Sequence, residues 1–167
     1  MAITLLRHAP LPPKYHGRYN GWSDISIDTT LIDRDSISSI GDMRFDMVIS
    51  SDLKRCRETL DILGFRYSID RRIREVEFKD EIEGRSFAEI QNLKSYRQSY
   101  LQDIYHWHNY ICKESYLSFE LRISEFLESL DSTKRILICT HAGVITKILS
   151  LQKIEYRSLD YLEYIEI

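Results

Sequence analysis

The chain has 167 residues, 43% of them hydrophobic and 29% charged, with a formal net charge of -3; this is the composition of a soluble globular protein and the size of one domain, residues 1–167. The acidic balance argues against a general polyanion-binding surface, so nucleic acid is not an expected partner, and no apolar run approaches the ~18 residues of a membrane span. Three widely spaced cysteines, Cys56, Cys112 and Cys139, suit neither a disulfide framework nor a zinc site, which places the chain by expectation in a reducing cytoplasm.

Residues 2–6 (AITLL) form a short apolar run that Arg7 interrupts and no basic region precedes, which predicts a buried strand and not a secretory leader. Residues 9–44 hold Pro10, Pro12, Pro13, Gly17 and Gly21 with little periodicity, the pattern of a long functional loop with some short helix. A second strand is predicted at 45–49 (FDMVI), then a helix in SSDLKRCRETLDILG that Ser50 or Ser51 can cap and Gly64 closes. Phe87, Ile90, Leu93, Leu101, Ile104, Trp107 and Ile111 recur at three- or four-residue steps with longer gaps, predicting one or two amphipathic helices; Leu121, Phe126, Leu127 and Leu130 predict another. Residues 135–139 (RILIC) predict a third buried strand leading into a helix in HAGVITKILSLQ, and the C-terminal YLEYIEI reads as a half-exposed edge strand. Strands that alternate with helices define an α/β fold, a mostly parallel sheet sandwiched between helices in three α/β/α layers.

Two of these strands end alike. ITLLRHAP (3–10) and ILICTHAG (136–143) are apolar runs that stop at a histidine followed by Ala, although the chain has only five histidines. Loops at the carboxyl ends of parallel strands gather at one sheet edge, where ligands bind. Arg7, His8 and His141 are therefore expected beside the SSDLKRCR turn, where a helix N-terminus and Arg55 favour an anion, phosphate being the natural guest. A histidine among arginines resists protonation and keeps a nucleophilic ring nitrogen at neutral pH. A leaving alkoxide then needs an acid, for which IREVEFKDEIEGRS offers Glu75, Glu77, Asp80, Glu81 and Glu83; spacing does not choose among them.

These residues resemble the histidine phosphatase superfamily, which includes cofactor-dependent phosphoglycerate mutases, over most of the chain. LLRHA resembles the Arg-His-Gly signature, with Ala9 for Gly; GRYNGWSDISI resembles the Gly-Trp-x-Asp substrate loop. FDMVISSDLKRCRET is similar to the segment of the second phosphate arginine, IREVEFKDEIEG to the acid-bearing segment, and ICTHAGVI to that of the second histidine. The resemblance implies a phosphoglycerate mutase-like fold in which His8 becomes phosphohistidine, Arg7, Arg55 and His141 clamp the phosphoryl oxygens, and Glu75 donates the proton. It also places Asn20 and Gly21 in the substrate set and calls for no cofactor and no metal. Because the mutases are longer, with insertions that enclose their substrate, hydrolysis of a small phosphate ester is the expected reaction. The Arg-His-Ala-Pro opening and Gly-x-Tyr-x-Gly-x-x-Asp loop look most like α-ribazole phosphatases. Mutase-type transfer, phosphohistidine protein phosphatase activity and a non-catalytic phospholigand-binding domain are the alternatives.

Plainer readings stand beside these. Lys54 and Arg57 read as solvated helix cations, since one phosphate cannot use every nearby charge. The two-residue spacing of His106 and His108 points them to different helix faces and argues against a metal pair. Trp22 either stacks on an aromatic leaving group or packs its loop onto the core.

Overall fold

A computed structural model describes residues 2–155 and 157–167. Its strands are β1 (Ala2–Arg7), β2 (Met47–Ser50), β3 (Ser68–Ile69), β4 (Arg135–Thr140) and β5 (Tyr164–Glu166). They form one sheet in the order β3-β2-β4-β1-β5, parallel except where β5 runs antiparallel along β1. The central strands are buried on both faces, which is why their sequences are continuous apolar runs and not alternating ones. Ile3 and Leu5 of β1, with Ile136 and Ile138 of β4, face one core; Leu6, Leu137 and Cys139 face the other.

The larger core is closed by α3 (Phe87–Gln91), α4 (Ile104–Ile111), α5 (Tyr116–Glu128) and α6 (Ala142–Leu151). They contribute Ile90, Ile111, Phe119, Ile123, Phe126, Ile145 and Ile148, all buried. The opposite face is covered by α1 (Arg34–Gly41) and α2 (Lys54–Ile62) through Ile40, Cys56 and Leu60, with Leu63 just beyond. Each fully buried aliphatic side chain of this kind contributes about 1.5–3 kcal/mol. Helices on both faces of a mostly parallel sheet make the three-layer α/β/α architecture expected from the sequence.

The departures are local. The second strand starts two residues late, at Met47; Phe45, just before it, meets Phe65 edge to face at 5.9 Å. The two-residue β3 was not predicted, being too short and exposed to leave a pattern. The expected cap of α2 is wrong: its N-cap is Leu53, which supplies no side-chain acceptor, while Lys54 N–H donates to Asp24 Oδ1 at 2.7 Å. Asp24 lies 30 residues upstream, so the cap is tertiary and no local rule finds it. Gly64, at φ +76°, closes α2 as expected, and Phe65 N–H donates to Leu60 O at 3.1 Å. Among the described residues no helix is long and apolar enough to cross a membrane.

Candidate active site

The β1/β4 register pairs Arg7 with Thr140, so the residues that follow, His8 and His141, leave the sheet side by side. The His8 N–H donates to Thr140 O at 3.1 Å, and the two imidazole centroids are 5.3 Å apart. Next to β4, Ser50 pairs with Cys139 and Ser51 N–H donates to Cys139 O at 3.0 Å. The SSDLKR turn therefore opens at the same edge, as topology demands.

His8 is 5% exposed, and its Nδ1 lies 2.8 Å from Ala9 O. A carbonyl only accepts, so Nδ1 carries the proton and Nε2 keeps its lone pair. Burial pushes the His8 pKa well below the ordinary 6.5, and Arg55 and then Arg7 push the same way. His141 is lowered likewise, by burial first and then by Arg55 and His8. Its Nδ1 accepts from Arg55 Nε at 3.1 Å, and its Nε2 lies 2.8 Å from Ser51 Oγ. The site thus holds two neutral imidazoles, and the Nε2 of His8 has no hydrogen-bond partner among the described residues.

Arg7 sits with its guanidinium carbon 4.2 Å from the centroid of the Tyr161 ring and donates from Nη1 to Leu159 O at 2.6 Å; its Nε is buried without a partner among the described residues. Such a group is an unmet demand for an acceptor. Arg55 is 1% exposed and reaches under the 20–23 loop, donating to the carbonyls of Ser23 at 3.0 Å, Asn20 at 3.3 Å and Gly21 at 2.8 Å. The start of α2 is not the open anion cradle expected from the sequence, because Asp24 already occupies its first amide.

Of the five candidate acids, only Glu75 reaches the cavity between His8 and the loop, which His141 stands behind, its nitrogens turned to Arg55 and Ser51. Glu77 and Asp80 pair with Lys113 at 3.0 and 2.8 Å. Glu81 meets Ser95 Oγ at 3.2 Å, and Glu83 accepts from the Gly21 amide at 3.0 Å and the Ser23 hydroxyl at 2.6 Å. Glu75 is 9% exposed; burial raises its pKa, although the Val76 amide, Arg55 and the Gly143 amide pull it down in turn. A carboxyl inclined to stay protonated is suited to donate a proton. The Gly143 N–H lies 3.2 Å from Glu75 Oε2, and a Cβ at Gly143 would stand 2.5 Å from Glu75 Oε1. The glycine of HAG is what lets α6 start against the acid.

The cavity has a volume of about 220 Å³ and is walled by Arg7, His8, Asn20, Arg55, Glu75 and Tyr161 among others. Gly21, expected in the substrate set, does not line it; its Cα is pressed against Val76 O, Glu83 and Phe78, where a Cβ would clash at 2.6–2.8 Å. Asn20 does line it, while its side-chain amide donates to Tyr15 O at 2.7 Å. Trp22 packs its loop down, donating from Nε1 to Glu75 O at 2.8 Å beneath Arg74, 4.3 Å from the ring centroid. His106 is bound by Asp103 at 2.8 Å and His108 by Glu114 O at 3.1 Å, so the two do not form a metal pair. Sequence reasoning missed Tyr161, 5.5 Å from the His8 ring, and Thr59, whose Oγ1 accepts from Ala9 N–H at 2.8 Å and donates to Arg55 O at 2.6 Å. Thr59 ends the FDMVISSDLKRCRET segment, whose resemblance points to Arg55 alone, and the DYLEY segment that carries Tyr161 shows only strand alternation.

A buried imidazole set with two arginines at a parallel-sheet edge is an arrangement suited to an anion such as phosphate, and comparison with known proteins gives the family. The model of the histidine phosphatase superfamily, branch 1, matches residues 3–164, and the chain belongs to that family. Among solved structures, TTHB049 from Thermus thermophilus superposes with a TM-score of 0.78 at 24% identity, covering 100% of this chain and 93% of the other. A phosphoglycerate mutase from the same organism gives 0.76 at 21% identity, with coverages of 100% and 92%. A protein provisionally described as an alpha-ribazole-5'-P phosphatase from Escherichia coli gives 0.79 at 20% identity, with coverages of 99% and 89%. At these identities the structures share the fold. No curated protein matches the sequence significantly.

Proposed function

We propose that the protein is a phosphomonoesterase that hydrolyses a small phosphorylated metabolite through a phosphohistidine at His8. The observation that carries this reading is the pairing, across one cavity, of a free His8 Nε2 lone pair with a buried Glu75 carboxyl whose pKa is raised. The phosphoryl group docks among Arg7, Arg55 and His141; the orphaned Arg7 Nε is a ready donor for one of its oxygens. His8 Nε2 attacks phosphorus in line, the P–O ester bond breaks, and the proton of Glu75 goes to the leaving oxygen. Glu75, now a carboxylate, takes a proton from water as it attacks the phosphohistidine, releasing phosphate and restoring both residues. The two arginines supply the positive charge that the spreading transition state needs, so no metal is required of the reaction.

α-Ribazole 5'-phosphate is the first substrate to test, supported by the Arg-His-Ala-Pro opening and the loop that follows it. The test is phosphate release from a panel containing that ester and 3-phosphoglycerate, by the parent protein and His8→Ala, with and without EDTA. The expected result is EDTA-resistant release from at least one ester, abolished in His8→Ala, and an acid-labile phosphoenzyme on quenching. Exchange between phosphoglycerates without net phosphate release would favour a mutase, and no turnover at all would favour a phospholigand-binding domain. We place the protein in the cytoplasm, on its three unpaired cysteines.

A further inference from the structure

A second cavity, of about 500 Å³, opens beyond the first. The two share Tyr19, Glu75 and Phe78 as walls, so Glu75 stands at their junction. An ester whose phosphorus is held beside His8 and whose bridging oxygen meets Glu75 has its organic part directed into this larger space. The cavity falls in the size range of sites that enclose small organic molecules, and its wall combines the rings of Tyr19, Phe78, Trp107, Tyr116 and Phe119 with aliphatic side chains. Tyr19 meets Phe78 edge to face at 5.3 Å and Trp107 at 6.1 Å.

Its charged groups are already satisfied. Lys147, 4% exposed, pairs with Glu120 at 3.0 Å and lies 3.5 Å from the Tyr116 ring centroid. His108 is stacked on Phe119 at 5.4 Å, with Nε2 donating to Glu114 O at 3.1 Å; burial lowers its pKa and keeps it neutral. A carboxylate or second phosphate on the substrate would find no uncommitted cation among the described residues that line this space. A neutral ring would find aromatic edges and faces.

We infer that this second cavity is the leaving-group site and that it selects phosphate esters of uncharged, ring-bearing alcohols over esters of acidic or polyol metabolites. The inference rests on the hydrolytic reading above, and Ile104, Trp107 and Thr146 become specificity-determining residues.

Three alkyl esters, the first two matched in leaving-group acidity, test it: 2-(1-naphthyl)ethyl phosphate, ethyl phosphate and 3-phosphoglycerate. Alongside, calorimetry measures binding of the free alcohol 2-(1-naphthyl)ethanol, which reads the cavity without turnover. The expected result is that kcat/KM favours the naphthyl ester over both others by roughly 30-fold or more, and that Thr146→Phe, which fills the cavity, lowers this ratio and the alcohol's affinity at least about tenfold. Ile104 is 63% exposed, so Ile104→Asp gives a second variant that keeps the fold while placing a carboxylate at the rim; it is expected to move both readouts the same way. Phosphate release without naphthyl preference or alcohol binding would overturn the inference and leave hydrolysis standing. Alcohol binding that both variants weaken, with no ester hydrolysed, would overturn the hydrolytic reading and keep the ring site. Failure of both measurements overturns both.

Discussion

Gly143→Ala isolates the placement of the acid from its chemistry. The added Cβ would stand 2.5 Å from Glu75 Oε1, 3.2 Å from Cδ and 3.3 Å from Oε2, so the carboxyl must retreat by roughly 1 Å to reach ordinary contact. It is not free to do so cheaply, because it is buried and its oxygens accept from the Val76 and Gly143 amides at 3.0 and 3.2 Å. Losing one of these bonds to a buried group costs about 1–3 kcal/mol, and the better helix propensity of alanine returns less than about 1 kcal/mol. A net loss of about 1–2 kcal/mol lowers Tm by roughly 2–8 °C in a chain of this size. The catalytic cost should be larger: a 1 Å displacement of a reacting group is worth about 10²-fold. That loss should fall on ethyl phosphate, whose leaving group needs the proton, and much less on 4-nitrophenyl phosphate, whose leaving group does not. Rates on both esters with a thermal melt of the same preparation make the measurement. Equal losses on the two esters, or an alkyl rate within threefold of the parent, would refute the account.

Glu75→Gln should behave as the chemical counterpart: a protonated acid is required, so kcat/KM falls as pH rises through the raised Glu75 pKa, and the variant should lose that alkaline limb along with most alkyl-ester activity. Stability should respond to pH with the opposite sign at the histidines. His8 and His141 titrate far below 6.5 in the fold, so below about pH 6.5 the unfolded chain binds more protons and the fold loses stability; melts at pH 7.5 and 5.5 should show a smaller drop in His8→Asn than in the parent, and an equal drop would discount His8. Asp24→Ala removes the acceptor on Lys54 N–H and should cost about 0.5–2 kcal/mol, with KM raised because the loop that Arg55 holds is released; an unchanged denaturation midpoint would show that another group caps α2.

The fold was legible because its central strands are buried on both faces and announce themselves as apolar runs, and because paired histidines after such runs must meet at one edge of a parallel sheet. That geometry brings Arg7, His8, His141 and Arg55 together as expected, whereas Glu75 is singled out only by the family resemblance. The loop between them was not legible in detail. Asp24, Glu83 and Thr59 act over separations of 30, 62 and 50 residues, and nothing in local spacing distinguishes a carboxylate that clamps a loop from one that faces solvent. Gly21 was misplaced for the same reason: its motif position suggested ligand contact, whereas the close approach of Val76 O and Phe78 is what requires glycine there. Trp22, open to two readings, is fixed by a single hydrogen bond to Glu75 O.

Arg55 ties these pieces into one device. A guanidinium has five N–H donors, and four are taken: one by His141 and three by the carbonyls of Ser23, Asn20 and Gly21. A phosphoryl group that enters the cavity can claim a bidentate contact only by drawing Arg55 off one of those carbonyls or off His141. Under the docking proposed above, phosphate occupancy and the hold on residues 20–23 would compete, with Glu83 and Asp24 retaining the loop from the other side through the Gly21 and Lys54 amides. Because Asn20 of that loop and Tyr19 beside it also wall the cavity, a partial release by Arg55 would change the shape of the site that the proposed phosphate enters.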